Sequence, residues 1–482
     1  MMSTREKEAA PESLLAALES DATLEAGGQF LELAAAHFSG TRDGTGPVST
    51  PLDARALATR FDEPLPMGTR PLRDVVGRLA TDVMSDVNRL SHPMYLGHQV
   101  SAPLAAAVWS EVVIAAVNNS MPVWEMSPVA TVLEERVIGW MAQLAGFGAA
   151  AGGTFTSGGT EASFTALLAA RAAWQPDAWA SGLRGPLPVL VHGEHAHYAV
   201  ARAAGELGIG TSNCVAVPAR DWRLSPAALA ATLERLHAEG RAVLAVVATA
   251  GHTATGAFDD LEAVAEVCER FGVWLHVDGA HGASALLSPR HRHRLKGLSR
   301  ARTVAWDPHK MMLMPLSAGM LIARDVNDIT AAFAQRAPYL FHQRDGERSV
   351  DLGTRSFQCS RRADVIKVWV ALQRLGADGI GALYEHLCAL TTSLHAMLGE
   401  RSAFERIHVP ESNILCFRHA GGDDAFNQEL RERYNRSGKG WITSTVLDGR
   451  RVLRVTIMNP RTGEEHLERL LDGLENVAGT IA

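Results

Sequence analysis

Between residues 188 and 277 the chain returns repeatedly to short apolar runs of strand length. They are Pro188-Val189-Leu190-Val191, Cys214-Val215-Ala216-Val217, Val243-Leu244-Ala245-Val246-Val247 and Val273-Trp274-Leu275-His276-Val277. Unbroken apolarity over so few residues marks strands covered on both faces, as in a parallel sheet. Helix-forming segments at 161–172, 226–238 and 260–270 interleave with them. This alternation restricts the region from about 99 to 375 to an α/β architecture, a mostly parallel central sheet with helices on both faces. Ligands of such sheets collect at the C-terminal ends of the strands.

Asp278 ends the last of these runs, and Trp306-Asp307-Pro308-His309-Lys310 brings a lysine 32 positions later. A carboxylate and a lysine at one sheet edge suit pyridoxal phosphate. The amine condenses with its aldehyde, and the carboxylate keeps the pyridine nitrogen protonated so that the ring accepts electrons. The plainer alternative is an Asp-Gly turn and a surface lysine.

Thr154-Phe155-Thr156-Ser157-Gly158-Gly159-Thr160-Glu161-Ala162 runs into an alanine-rich helix. Glycines let the backbone approach closely, and the free amides of a first helical turn bind an anion such as phosphate. A plain threonine N-cap would look the same in isolation. The pattern is neither Gly-x-Gly-x-x-Gly nor a Walker loop. His192, His195 and His197 follow a strand closely. No cysteine or carboxylate stands at metal-ligand spacing beside them, so a flat imidazole against a cofactor ring is the preferred reading, with no metal.

At 482 residues the chain exceeds one compact core, and two or three domains are expected. Residues 1–98 read as a helical segment, helix-prone at 11–40 and 72–90, that packs on a partner subunit. A large domain at 99–375 and a small α+β domain at 376–482 follow. A helix from Ala363 to Leu375 precedes that last boundary, and 413–417 and 452–457 are the small domain's strands. The net charge of -7 is spread out, which argues against nucleic acid. The N-terminus carries acids and no apolar core, so no signal peptide is expected, and no run reaches the ~20 apolar residues of a membrane span. Five scattered cysteines suggest reduced thiols and a cytoplasmic enzyme.

Taken together, these motifs resemble the group II pyridoxal-phosphate decarboxylases, which act on glutamate, aromatic amino acids, cysteine sulfinate or diaminobutyrate. The likeness runs from about His92 to the C-terminus. It implies the fold of type I pyridoxal-phosphate transferases and a homodimer with active sites at the interface. His197 matches the family's stacking histidine, Asp278 its pyridine-nitrogen aspartate, and His309-Lys310 its histidine-lysine pair. The expected cofactor-binding residues are Gly159, Thr160, His197, Thr249, Asp278, Ala280, Asp307 and Lys310, with Lys310, His197 and His309 catalytic. Arg454 matches an arginine linked to substrate carboxylate, and Gln99 and Asn118 join it as substrate-side candidates.

Three departures stand out. His281 and Gly279 replace the usual tryptophan and alanine, which suggests an altered wall beside the cofactor. Asp307 replaces an asparagine found near the phosphate in several relatives, and a carboxylate there is unfavourable unless protonated or turned away. The loop from His342 to Arg355 has no tyrosine, where decarboxylating relatives carry one that returns a proton to the substrate carbon. The expected reaction is decarboxylation of an L-amino acid to an amine and CO2, with Lys310 or His309 returning the proton. The alternatives are decarboxylation coupled to oxidative deamination, giving an aldehyde, or transamination or another lyase reaction. A cofactor-binding protein without turnover is a further alternative.

Overall fold

The computed structural model describes residues 12–50, 53–333, 337, 341 and 351–481. The central sheet has seven strands: β1 (Gly152–Thr156), β2 (Val189–Gly193), β3 (Cys214–Val217), β4 (Val243–Thr249), β5 (Trp274–Asp278), β6 (Thr303–Trp306) and β7 (Gly319–Ala323). Their spatial order is β1-β7-β6-β5-β4-β2-β3. β7 runs antiparallel to both β1 and β6, and the other neighbours pair in parallel. A mostly parallel sheet with a small α+β unit after it is the architecture expected from the sequence.

Each central strand serves two cores, which is why it reads as continuous apolar sequence. Ala245 and Val247 of β4 face one side with Ala305 and Leu321. Val246 and Ala248 face the other with Val304 and Met320. The helix α1 (Glu12–Asp21) leads to α2 (Leu24–Arg42), which runs two residues past the helix-prone stretch expected to end at 40. Beyond them lie α3 (Ala105–Val117), α4 (Pro128–Leu144) and α5 (Gly159–Trp174). α5 crosses one face of β4 through β7, and α4 packs on β1 and β7. In the stretch expected to be helical at 72–90, the α-helix covers only Leu72–Arg78, and a wider π turn (Leu79–Val83) followed by a tight 3-10 turn (Met84–Asp86) carries the chain on.

The helix foreseen at 363–375 becomes α6 (Val365–Gly399), interrupted at Gly376, where φ is 70°. It packs on α3, α4 and the C-terminal sheet, so one element ties both units together. That sheet comprises β8 (Phe404–Arg406), β9 (Ile414–His419), β10 (Thr443–Leu447) and β11 (Arg450–Thr456) in the order β8-β9-β11-β10, all antiparallel. The N-terminal stretch is clasped by it. Leu96 donates to Trp441 O at 2.8 Å and accepts from Thr456 N at 2.9 Å. Among the described residues no helix is long and apolar enough to cross a membrane.

Candidate active site

Thr249 and Asp278 end adjacent parallel strands and face each other in register. Both are nearly buried. Asp278 Oδ1 accepts from the Ala280 amide at 3.1 Å. On the other side Asp278 is in register with Ala305 of β6, so the turn carrying Lys310 leaves the sheet one strand away. Adjacent strand ends thus deliver the carboxylate and the lysine, although 32 positions separate them in sequence.

The lysine turn is tied down by Asp307, whose carboxylate is 2% exposed. Asp307 Oδ2 stands 3.2 Å from Lys310 Nζ and accepts the Gly159 amide at 3.0 Å. Its Oδ1 is buried without a partner. His309 Nδ1 accepts from the Ala318 amide at 3.1 Å, which leaves the proton of the neutral ring on Nε2, 3.5 Å from Asp307 Oδ2. Burial pushes His309 below the usual histidine value. Ser101 Oγ holds the turn from beneath, 3.1 Å from His309 O and 3.2 Å from Met314 O.

Gly159 begins α5 at a point where no side chain fits. A Cβ there would lie 2.7 Å from Ala280 Cβ and 3.1 Å from Asp307 Oδ2. The bare backbone lets the helix N-terminus reach the ends of β5 and β6, where its free amides favour an anion. Glu161 stiffens the approach, accepting from the Ser157 amide at 2.8 Å and the Ser157 hydroxyl at 2.7 Å. Thr160 follows Gly159 in this first turn.

His197 lies on the segment between β2 and the helix Ala199–Glu206. Its Nδ1 accepts from the Ala199 amide at 3.3 Å. Burial lowers its pKa, opposed by the nearby charge of Asp278 and reinforced by that of Lys310. Both charges therefore act on this ring. Arg454, on β11, is 8% exposed and donates to Thr253 O at 2.8 Å. Its Nε is buried without a partner, and among the described residues no carboxylate lies within ion-pair distance of it. Burial pushes this guanidinium down. Gln99 lies two residues before Ser101, and its amide nitrogen is also buried and unpartnered. Asn118 stands apart. It caps α3 in the left-handed region at φ 45° and is exposed, joining none of these bonds.

The departures at 279 and 281 fall in different places. A Cβ at Gly279 would meet Ala305 O at 2.9 Å and Ala283 Cβ at 3.0 Å, so that position packs toward β6. His281 is 3% exposed, and its Nε2 lies 2.7 Å from Asn413 Oδ1. Asn413 in turn donates to Ile457 O at 2.9 Å, so a single ring links the lysine domain to the C-terminal sheet. Burial pushes His281 down to about 3, and the charge of Lys310 acts in the same direction.

Comparison with known proteins agrees with this geometry. Residues 54–420 match the pyridoxal-dependent decarboxylase conserved domain. The chain belongs to the pyridoxal-dependent decarboxylase family. It is 36% identical to the L-2,4-diaminobutyrate decarboxylase of Rhizobium meliloti over 430 residues, covering 85% of this chain and 84% of that one. It is 34% identical to the cysteine sulfinic acid decarboxylase of Mus musculus over 333 residues, 68% of this chain and 67% of the relative. The crystal structure of mouse CSAD superposes with a TM-score of 0.88 at 28% identity, covering 98% of this chain and 99% of that one. The chain is accordingly a pyridoxal-phosphate-dependent amino acid decarboxylase.

The site fits that cofactor on its own evidence. A helix N-terminus opened by Gly159 suits a phosphate, and the nearly buried carboxylate of Asp278 suits a protonated pyridine nitrogen. The unpartnered polar atoms of Arg454 and Gln99 await a polar occupant. Sequence reasoning did not single out Ser101, Asn413 or the buried pair His252–Asp259, whose rings and carboxylates meet only across long sequence separations or within a tight loop. No local motif marks such contacts. The tyrosine-free loop lies outside the described residues from 342 to 350.

Proposed function

We propose that this decarboxylase converts a short, charged L-amino acid to the corresponding primary amine and CO2. The carrying observation is the convergence of Asp278, Thr249, Lys310 and the start of α5 on one sheet edge, with Arg454 buried and lacking a carboxylate partner. Pyridoxal phosphate, when bound, supplies a ring that accepts the electron pair left on the substrate carbon as CO2 departs. Lys310 would anchor it through its amine, Asp278 would hold the proton on its nitrogen, and Thr249, Ala280 and the flat face of His197 would line the ring. The free amides of the first turn of α5 from Thr160 onward would hold its phosphate where the bare Gly159 lets it approach, with Asp307 taking the Gly159 amide and so bracing helix and lysine together.

Arg454 and Gln99, each with a buried unpartnered nitrogen, would bind the substrate carboxylate and fix its orientation. The guanidinium can make two parallel bonds to a carboxylate that water cannot reach. Lys310 Nζ is the proton carrier this arrangement favours, because the free proton of His309 is directed at Asp307. Burial raises the Tyr95 phenol, outweighing the His98 backbone contact that lowers it, which makes it a poor substitute acid.

We further propose a homodimer with its active sites at the interface, divided as residues 1–98, 99–375 and 376–482. Leu14, Leu15, Leu18 and Leu24 of α1 and α2, and Val112, Val113 and Val117 of α3, are exposed apolar side chains that a second subunit would cover. Asn118 follows the last of these and would serve a site completed by the partner. An aldehyde-forming reaction is the second reading, favoured by the absence of tyrosine between His342 and Arg355.

The test is product analysis by mass spectrometry with CO2 release over a panel of amino acids. L-2,4-Diaminobutyrate heads the panel, because a decarboxylase of that substrate shares 36% identity over 85% of the chain. Cysteine sulfinate, aspartate and glutamate complete it. Stoichiometric amine supports the proposal, and aldehyde supports the second reading. No turnover on any member, with cofactor bound, overturns both.

A further inference from the structure

Behind the cofactor edge lies a polar pair that the proposed reaction does not use. The side chains of His252 and Asp259 are each 1% exposed, and His252 Nε2 stands 2.8 Å from Asp259 Oδ1. The other ring nitrogen, Nδ1, is 3.3 Å from the carbonyl oxygen of His195. Asp259 receives donors at both oxygens. Oδ1 also accepts the Leu224 amide at 2.8 Å, and Oδ2 accepts the Thr249 amide at 2.7 Å. Groups that only donate surround a carboxylate, not a carboxylic acid.

The ring is therefore flanked by two obligate acceptors. A neutral imidazole has one N–H, so one of its nitrogens would turn a lone pair toward an oxygen in a space closed to water. Only the doubly protonated ring satisfies both sides. The groups facing it are Asp259 on its own loop, Asp278 on β5, and His195, whose ring stands edge-on at 6.5 Å between centroids. Burial opposes the charge, and the attraction and hydrogen bond of Asp259 outweigh it, so the pKa of His252 is raised.

We propose that His252 is held as an imidazolium and is a positioning residue for the cofactor. It joins two pieces that reach the ring from different directions. Through Asp259 it fixes the Thr249 amide, and thereby the strand end in register with Asp278. Through His195 O it holds the segment that carries His197 two residues later. Loss of the proton places a lone pair opposite an oxygen and releases one of the two connections. The charge is kept below the raised pKa and lost as pH rises through it. The grip on the cofactor should loosen on the alkaline side.

This inference rests on the cofactor site proposed above, and its test reads binding rather than turnover. Nitrogen NMR of protein with labelled histidine, with His252→Gln identifying the resonances, should show both His252 ring nitrogens protonated at pH 7.5. A bare ring nitrogen at that pH overturns the proposal. The dissociation constant of pyridoxal phosphate and the visible circular dichroism of the bound cofactor are then followed from pH 6 to 9.5. His252→Gln should weaken binding about tenfold at neutral pH, the scale of one charge-assisted hydrogen bond. It should also abolish the alkaline loosening seen in the wild type. An unchanged dissociation constant and dichroism in the variant overturn the positioning role. Should the variant fail to fold, a wild-type ring that loses its proton within this range without any change in affinity or dichroism overturns it equally. A wild-type protein that binds no pyridoxal phosphate refutes the site itself, a distinct outcome.

Discussion

Asp307 and Lys310 are joined side chain to side chain, with Oδ2 3.2 Å from Nζ, while the same oxygen holds the first amide of α5. One carboxylate thus occupies ground that a phosphate at this helix would share. Asp307→Asn keeps an acceptor for the Gly159 amide, adds a donor and removes the negative charge. Because a carboxylate beside a phosphate dianion is repulsive, cofactor affinity should rise several-fold, on the order of 1 kcal/mol. Titration of apoprotein with pyridoxal phosphate measures it. Weaker binding in the variant would show that bracing of Lys310 outweighs the repulsion.

Lys310 should carry the cofactor covalently. The purified protein is expected to be yellow, and borohydride should fix the label on Lys310 alone, as read by peptide mass spectrometry. Lys310→Ala should bind the cofactor without a covalent bond and turn over no substrate. A reduced adduct on another lysine refutes this placement.

Asp278→Asn removes the charge that would keep the pyridine nitrogen protonated, with little change in shape. Turnover should fall by orders of magnitude, because the ring loses most of its power to accept electrons. Binding of cofactor should change much less, since the α5 amides and Lys310 remain. Near-normal kcat in the variant would remove Asp278 from this role.

Arg454→Lys is a severe change at a buried site that calls for two parallel bonds, because an ammonium cannot reproduce the planar fork. KM should rise by on the order of tenfold or more, the scale of a lost charge-assisted hydrogen bond, with cofactor affinity unaltered. Steady-state kinetics on the best substrate of the panel supply the comparison. An unchanged KM would place the substrate carboxylate elsewhere.

Two buried histidines give the fold an acid limit. Burial pushes His276 to about 4 and His281 to about 3, against about 6.5 in an unfolded chain. Both are thus neutral in the folded state, and the unfolded chain binds more protons between these values. Their contribution to stability is complete above about pH 6.5 and is lost as pH falls toward 4 and then 3. Melting temperature should therefore drop steeply below pH 6. His281→Gln retains a donor for Asn413 and should flatten that decline from about pH 6.5 downward, most plainly below about 4, where His276 no longer contributes. An identical profile in the variant would show that His281 does not titrate with unfolding.

Much of the fold was legible because burial on two faces leaves a local trace. β2 through β5 read as apolar runs, and Asp278 stands at the end of the last of them. β1, with two glycines and two threonines, lacked that trace, whereas β6 and β7 are apolar and as long as β3 and β2 but were not among the runs read as strands. The cofactor class followed from the residue types and their context. What the chain alone left open was which atoms touch. The bond from His281 to Asn413 spans 132 positions, and that from Ser101 to His309 spans 208. The charge of His252 follows from which two oxygens face its ring. Periodicity and propensity are set by a residue's near neighbours. Hydrogen-bond partners and protonation are set by whatever the completed sheet edge brings within 3 Å, and only the tertiary structure decides that.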